Sequence, residues 1–452
     1  MATANYPSAY LALMREVMSD DYDAWLAAQD APLFRAVRLN PRKISVDEFL
    51  REFPDAKRIE GYPAYLYHVP TTDVSLGNHP FHHAGCFYLQ EPSASLVVEA
   101  LDIQENENVL DCCAAPGGKS TQILSKLGGT GILVSNEIDP KRNQTLRFNL
   151  QRFGEDNLIV TQNDTKTLGE SFIGFFDKIV VDAPCSGMGM YRKDPSGMKY
   201  FSTNNILHCA RMQKDILENV YPSLKEGGVL VYSTCTFAKE ENETQIQHFI
   251  ERHPDMVIED LPFSIGREGL GDLDENLKKC RRITVLEGGE GHFICRMRKL
   301  GKQDERQPDL LQPVANPLIR NFVSMFLDDS IRGYVVHDKI NLARRELPCP
   351  SKINVVQAGV YLGEKIQDRI EIDHAFASSQ IALTFFKQKI ELGEEDTQRF
   401  MHGDTIDIEG IKGYVLIGYQ GKYYGLGKGD GRLIKNKFPK GIRVFQKFSE
   451  NR

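Results

Sequence analysis

The chain has 452 residues, 41 % apolar and 26 % charged, with a formal net charge of −7. That length exceeds what one hydrophobic core serves, so several domains are expected, and no apolar run approaches the ~20 residues that a membrane helix needs. Nine cysteines, none spaced C-x-x-C, argue against a disulfide scaffold or a zinc ribbon, so a reducing, cytoplasmic setting without a metal site is expected. The opening, MATANYPSAYLALMREVMSDDYD, lacks a basic region followed by an apolar stretch. It reads as an amphipathic helix with Leu11, Met14, Val17 and Met18 on one face. RAVRLN follows as a strand, making residues 1–75 a small α+β extension.

From Asn108 to Lys299 short β-rich runs alternate with helical spacing. NVLDCCAA, GILVSNEI, LIVTQND, DKIVVDAP and GVLVYSTCT are the strands, with helices in GKSTQILSKL, PKRNQTLRFNLQRF and NILHCARMQKDILENVYPSL. The alternation predicts an α/β fold with a doubly wound parallel sheet across 76–300, and HFICRMRK is expected as an added edge strand. Residues 301–315 are polar and Pro-containing, which predicts a linker. A connecting domain over 316–400, beginning in a helix at NPLIRNFVSMFL, leads to a small β-barrel over 401–452. Charge is uneven along this plan: Ile411 to Arg452 holds ten Lys or Arg against two acids, a balance of +8 that leaves −15 on the rest. A basic tail on an acidic body fits a module that meets a polyanion, although a solvated basic surface is the competing reading.

Ligands of such sheets sit at the carboxyl ends of the strands. DCCAAPGGKS runs from a strand into a Gly117–Gly118 turn and a helix start. A P-loop fails because Cys113 stands where its first Gly is required, and no G-x-G-x-x-G is present. A methyl-donor site needs such a turn and then an acid on the next strand end for ribose hydroxyls, which Glu137 supplies. Asp164 ends the third strand where it could accept from an adenine amino group, with helix capping as the alternative. The fourth strand ends in DAPCSG and the fifth in STCTF, placing Cys185 and Cys235 on the same edge. An isolated Cys is usually a small buried hydrophobe, but two at adjacent strand ends, with Asp182 three residues before one, suit covalent chemistry. Cytosine carbon 5 is a poor nucleophile until a thiolate adds to carbon 6. Asp182 could partner the ring's nitrogen 3 and amine, or supply a proton if burial raised its pKa, and a second group such as Cys185 could help expel the first thiol. A direct amine methyltransferase would carry [DN]-P-P-[FY], where this chain has Ala183 and Cys185.

DCCAAPGGKS, VSNEID, DAPCSGMG and VYSTCTF resemble, in order and spacing, the Sun-family RNA cytosine-5 methyltransferases. RAVRLN, GCFYLQEPSA and EGGEGHFICRMRK extend the resemblance over Val37 to Lys299. It implies a Rossmann-like methyltransferase sheet and S-adenosyl-L-methionine bound by Cys113, Ala114, Ala115, Pro116, Gly117, Gly118, Lys119, Glu137, Asp164 and Asp182. It also implies Cys235 as nucleophile, Cys185 as the residue assisting release, and Lys119 beside Asp182 or the donor's carboxylate. One departure lies in MYRKDPSGMKYFS, which keeps Arg192 and Pro195 but lacks the family's Trp, so no binding role is assigned there. GLGKG, LIKNK and PKGIR resemble the PUA-type terminal domain of bacterial RsmF-like enzymes acting on 16S rRNA. The other bacterial Sun-type ribosomal enzyme carries a long helical N-terminal domain, for which residues 1–75 leave no room. The resemblance thus implies RNA as partner, 16S rRNA or the small ribosomal subunit; a monomer is the default expectation, and the lack of a long apolar run predicts no membrane. A transfer RNA substrate and a non-catalytic ribosome-assembly factor are the alternatives. His79, His82 and His83 form no motif and are expected to cap or line a loop.

Overall fold

The alternating runs between Asn108 and Lys299 become one sheet in a computed structural model that describes residues 6–33, 36–70, 75–301, 308–314, 316–325 and 330–448. Its strands along the chain are β1 (Asn108–Asp111), β2 (Ile132–Asn136), β3 (Leu158–Thr161), β4 (Phe176–Asp182), β5 (Leu224–Thr234), β6 (Met256–Glu259), β7 (Arg267–Glu268), β8 (Arg281–Ile283), β9 (His292–Lys299) and β10 (Val355–Ala358). The order is β7-β8-β9-β5-β4-β1-β2-β3-β10, with β6 also on β9. Strands β1 to β5 are mutually parallel, so their carboxyl ends share one edge. Val109, Leu133, Ile159, Val180 and Val231 are buried at their centres. Strands covered on both faces read as continuous apolar runs, and these do.

The covering helices are α1 (Gly118–Leu127), α2 (Pro140–Phe153), α3 (Thr165–Ser171), α4 (Thr203–Val220) and α5 (Glu243–Arg252). Helix α2 shows why they start where they do. Asp139 accepts from the Lys141 and Arg142 N–H groups, Pro140 takes the first helical position, and Gly154 ends the helix at φ 69.

The run HFICRMRK, expected at an edge, lies inside the sheet instead. As β9 it pairs antiparallel with β5 on one side and with β8 and β6 on the other. Those outer strands are two to four residues long, too short for a periodic pattern. At the far edge β10, drawn from beyond residue 316, pairs antiparallel with β3. Arg344 and Asp156 (2.9 Å) fix the same junction. Residues 302–307 and 315 of the expected linker lie outside the described residues, as do Arg35 of RAVRLN and Phe326–Leu327.

The N-terminal extension has helices Ser8–Met18 and Tyr22–Ala28 and a four-stranded antiparallel sheet ordered Lys57–Arg58, Leu66–His68, Ala36–Leu39, Phe87–Leu89. The opening helix buries Tyr10, Met14 and Met18, while Leu11 and Val17 are half-buried. Two further four-stranded sheets follow: Arg332–Val336, Lys339–Ala343, Val360–Ile366, Arg369–Ile372, and then Lys389–Glu391, Lys412–Tyr419, Lys422–Asp430, Ile434–Asn436. The last does not pack alone. Phe49, Phe81 and Phe87 of the extension share one core with Phe400, Ile417, Tyr424 and Phe438. Among the described residues no helix is long and apolar enough to cross a membrane.

Candidate active site

The turn after β1 is shaped by glycine. Gly117 has φ +113, and a Cβ there would meet Leu146 at 3.3 Å; at Gly118 it would meet the Tyr88 ring at 3.2 Å. At both positions neighbouring side chains fill the space beside the backbone, so glycine is needed there, and the helix that follows begins with no side-chain cap on its first N–H groups. Arg38 of RAVRLN, fully buried, holds the turn from beneath. Its Nη2 donates to the Gly118 carbonyl (3.1 Å) and Thr121 Oγ1 (2.7 Å), and its Nε to Gln90 (2.5 Å). Burial lowers the Arg38 guanidinium to about 10.

Glu137, just past β2, is 2 % exposed. One carboxylate oxygen accepts from the Asp139 N–H (3.0 Å), and the other, Oε2, has no hydrogen-bond donor, with Arg142 Nη1 at 3.3 Å. A buried carboxylate oxygen left open fits a ligand hydroxyl. Asp164 is exposed and caps α3, accepting from the Thr167 N–H (2.8 Å) and Oγ1 (2.9 Å). The capping alternative therefore accounts for much of what its carboxylate does, and those bonds hold it below the usual carboxylate range.

Asp182, closing β4, accepts from Lys119 Nζ at 2.6 Å and Ser233 Oγ at 2.7 Å. Burial pushes its carboxyl up, but Lys119 and His292 outweigh that and hold it below the ordinary value. The proton-source option for Asp182 needed the opposite shift. The adjacent cation keeps it a carboxylate and leaves it the hydrogen-bonding role. Lys119 is raised in turn: burial opposes its charge, and Asp182 more than offsets this.

Beyond the pair, Cys185 Sγ and Cys235 Sγ stand 3.1 Å apart, and the Cys235 N–H points at Cys185 Sγ (3.3 Å). The contact with Cys235, together with burial, pushes the Cys185 thiol well above its usual range. Gly189 lets the loops close, since a Cβ there would meet Gly291 O at 2.7 Å and Cys235 O at 3.0 Å.

Several side chains around the site have no sequence motif of their own. His292 opens β9, one residue before the Phe293–Thr234 pair, and faces Ile283 of β8 across the other side of the strand. Its Nδ1 meets Ser93 Oγ (2.8 Å) and stands 3.5 Å from Glu91, and burial lowers its pKa. Glu241 binds the loop after Cys185. Arg192, given no role from sequence, forms a buried ion pair with Glu290 (3.1 Å) and donates to the Gln29 and Ala31 carbonyls. Around it Tyr10, Met14, Met18 and Trp25 pack on Met188, Tyr191 and Phe237. The opening helix thus braces both cysteine loops. Among the described residues no cluster of His, Cys, Asp or Glu could hold a metal.

Residues 98–298 match the family described as 16S rRNA methyltransferase RsmB/F. Residues 6–92 match the N-terminal domain of 16S rRNA methyltransferase RsmF, and 387–444 match the methyltransferase RsmF PUA domain. The chain is similar to ribosomal RNA small subunit methyltransferase F of Vibrio vulnificus, 31 % identical over 96 % of this chain and 97 % of that protein. It is 37 % identical to the protein of the same name from Pectobacterium carotovorum over 66 % of this chain and 63 % of that one. A methyltransferase homolog from Pyrococcus horikoshii matches with TM-score 0.58 and 29 % identity over 66 % of this chain and 96 % of that one. NSun6 from the same organism, solved with SFG, shares the fold at TM-score 0.58 and 21 % identity over 66 % of this chain and 99 % of that one.

Proposed function

Because the chain belongs to the ribosomal RNA small subunit methyltransferase F family and is therefore an RNA methyltransferase, we propose that it methylates carbon 5 of cytosine in the decoding region of 16S rRNA through a Cys235 adduct. The observation that carries this is the 3.1 Å approach of two sulfurs beside the Lys119–Asp182 pair. The paired sulfurs are not needed for methylating an exocyclic amine.

S-adenosyl-L-methionine, when bound, would supply an electrophilic methyl group. The residues present fit it: the Glu137 oxygen that lacks a hydrogen-bond donor suits a ribose hydroxyl, and the Gly117–Gly118 turn opens a helix whose first N–H groups have no side-chain cap. Cys113, Ala114, Ala115, Pro116, Lys119, Asp164 and Asp182 complete the set that would hold it. Asp182 then serves both ligands, accepting from Lys119 while facing the base.

Cys235 thiolate forms a bond to carbon 6, and the ring's electron pair moves to carbon 5, which takes the methyl group. Asp182 and Lys119 hold nitrogen 3 and the exocyclic amine as charge shifts. The hydrogen on carbon 5 then leaves to solvent as a proton, the double bond re-forms, and Cys235 departs as thiolate. Cys185, whose sulfur stands 3.1 Å from Cys235, assists that departure. Flipping the cytosine costs a few kcal/mol, which phosphate contacts by the basic C-terminal module offset. The protein acts as a monomer in the cytoplasm.

The test is tritium transfer from labelled S-adenosyl-L-methionine to unmethylated 16S RNA, free and in 30S particles, followed by bisulfite sequencing. A protected cytosine in the decoding region supports every part. Transfer to tRNA alone keeps the chemistry and overturns the substrate, and methylation at any atom other than carbon 5 overturns the mechanism.

A further inference from the structure

Glu241 is fully buried at the turn before α5, and its carboxylate accepts from three neutral donors. The Ser186 N–H lies at 3.0 Å, Ser186 Oγ at 2.5 Å and Gln213 Nε2 at 2.8 Å. The same Gln213 amide nitrogen donates to the Pro184 carbonyl at 2.9 Å. Pro184 and Ser186 are the two neighbours of Cys185, so Glu241 and Gln213 grip the chain on both sides of that sulfur. Ser186 Oγ also meets Thr236 Oγ1 at 2.7 Å, and Thr236 follows Cys235. Tyr232 OH donates to the Glu241 carbonyl at 2.6 Å, tying the clamp to β5. Gly187, next in the loop, has φ +72 and open space where a Cβ would stand, so the loop lacks side-chain packing there to hold its shape.

We propose that Glu241 is a positioning residue for the second half of the reaction: through Ser186 and Gln213 it keeps Cys185 Sγ against Cys235 Sγ, ready for release of the methylated base. This rests on the two-cysteine reading above. A buried carboxylate without a cation is costly to keep, and burial raises its pKa here. Its placement between two reactive loops gives that cost a purpose. A displacement of about 1 Å in a reacting group can slow a step roughly 10²-fold, and the clamp sets the sulfur distance on that scale.

The experiment follows covalent enzyme–RNA adduct on denaturing gels, alongside single-turnover methyl transfer, in full-length Glu241→Ala, Glu241→Gln, Ser186→Ala and Cys185→Ala proteins. Glu241→Ala should transfer methyl at close to the parent rate in the first turnover yet hold its adduct at least about 10-fold longer. Glu241→Gln should release normally, because an amide can accept from the Ser186 N–H and Gln213 and donate to Ser186 Oγ. Ser186→Ala, which keeps the carboxylate, should lengthen adduct life less than Glu241→Ala and serves as the reporter if the latter does not fold. Parent-like adduct decay in Ser186→Ala and Glu241→Ala, or equal loss of transfer and release, overturns the proposal. Rapid release by Cys185→Ala would instead overturn the two-cysteine reading on which it rests.

Discussion

Lys119 Nζ stands 2.6 Å from Asp182 Oδ2, joining the first turn of α1 to the end of β4. Asp182 sits below its unfolded pKa, so its stabilisation is present above about pH 4 and lost as pH falls through the folded value. In Lys119→Met burial prevails and the carboxyl rises. The acid limb of the rate–pH profile should then move to higher pH. Stability at neutral pH should fall, by less than the roughly 3 kcal/mol of a fully buried unpaired charge, because the Asp182 side chain is 28 % exposed. Thermal melts and pH–rate profiles check both, and an unmoved acid limb contradicts the pairing's role.

Cys235→Ala should abolish methyl transfer while leaving S-adenosyl-L-methionine affinity unchanged by calorimetry. Retained turnover would exclude it as nucleophile.

Met14→Ala removes a fully buried side chain from the opening helix where it braces Tyr191 and Phe237. Such truncations cost about 2–5 kcal/mol. Local opening of this helix should appear in hydrogen exchange, accompanied by slower methyl transfer. Exchange confined to the helix with an unchanged rate would show that the brace has no bearing on catalysis.

His83 and His374 both pack on Phe438, at ring distances of 5.2 and 4.9 Å. Burial lowers His83 to about 3 and His374 to about 4, below the unfolded value. The unfolded chain therefore binds more protons below about pH 6.5, and stability is full above that pH and drains away as pH falls toward the folded values. At pH 5 the loss from His83 should be about 2 kcal/mol. His83→Phe should flatten the melting temperature between pH 7 and 5, and an unchanged slope would exonerate this residue.

Arg432 and Lys440 are exposed on the basic terminal module. If they contact phosphates, Arg432→Gln and Lys440→Gln should each reduce the slope of log affinity against log salt by roughly one. Filter binding across salt concentrations measures it, and an unchanged slope removes these two from the RNA surface. Deleting 401–452 would be a poorer test, because that segment completes the core around Phe49 and Phe87.

Strands β1 to β5 and the residues at their ends could be read from the chain because each is a local pattern: an apolar run, then a turn with its chemistry attached. Glu137, Asp182, Cys185 and Cys235 all lie on that one edge. His292, Glu241 and the Arg192–Glu290 pair were not legible, since each depends on a partner brought near by pairing or packing of distant segments. Ser93 and His292 are 199 positions apart. Strand β10 was hidden for the same reason. The direction of the Asp182 shift needed the Lys119 distance, which no spacing gives.

The core shared by Phe49, Phe81 and Phe87 with Phe400, Ile417 and Phe438 joins the two ends of the chain. During synthesis the early aromatics emerge some 300 residues ahead of their partners. They remain uncovered until the segment carrying Phe400 to Phe438 has been made, at the expense of a long loop closure. A ribosome that stops early therefore releases a fragment with open apolar surface, a substrate for chaperones and proteases. Synthesis of this last sheet is in this way checked by the fold itself.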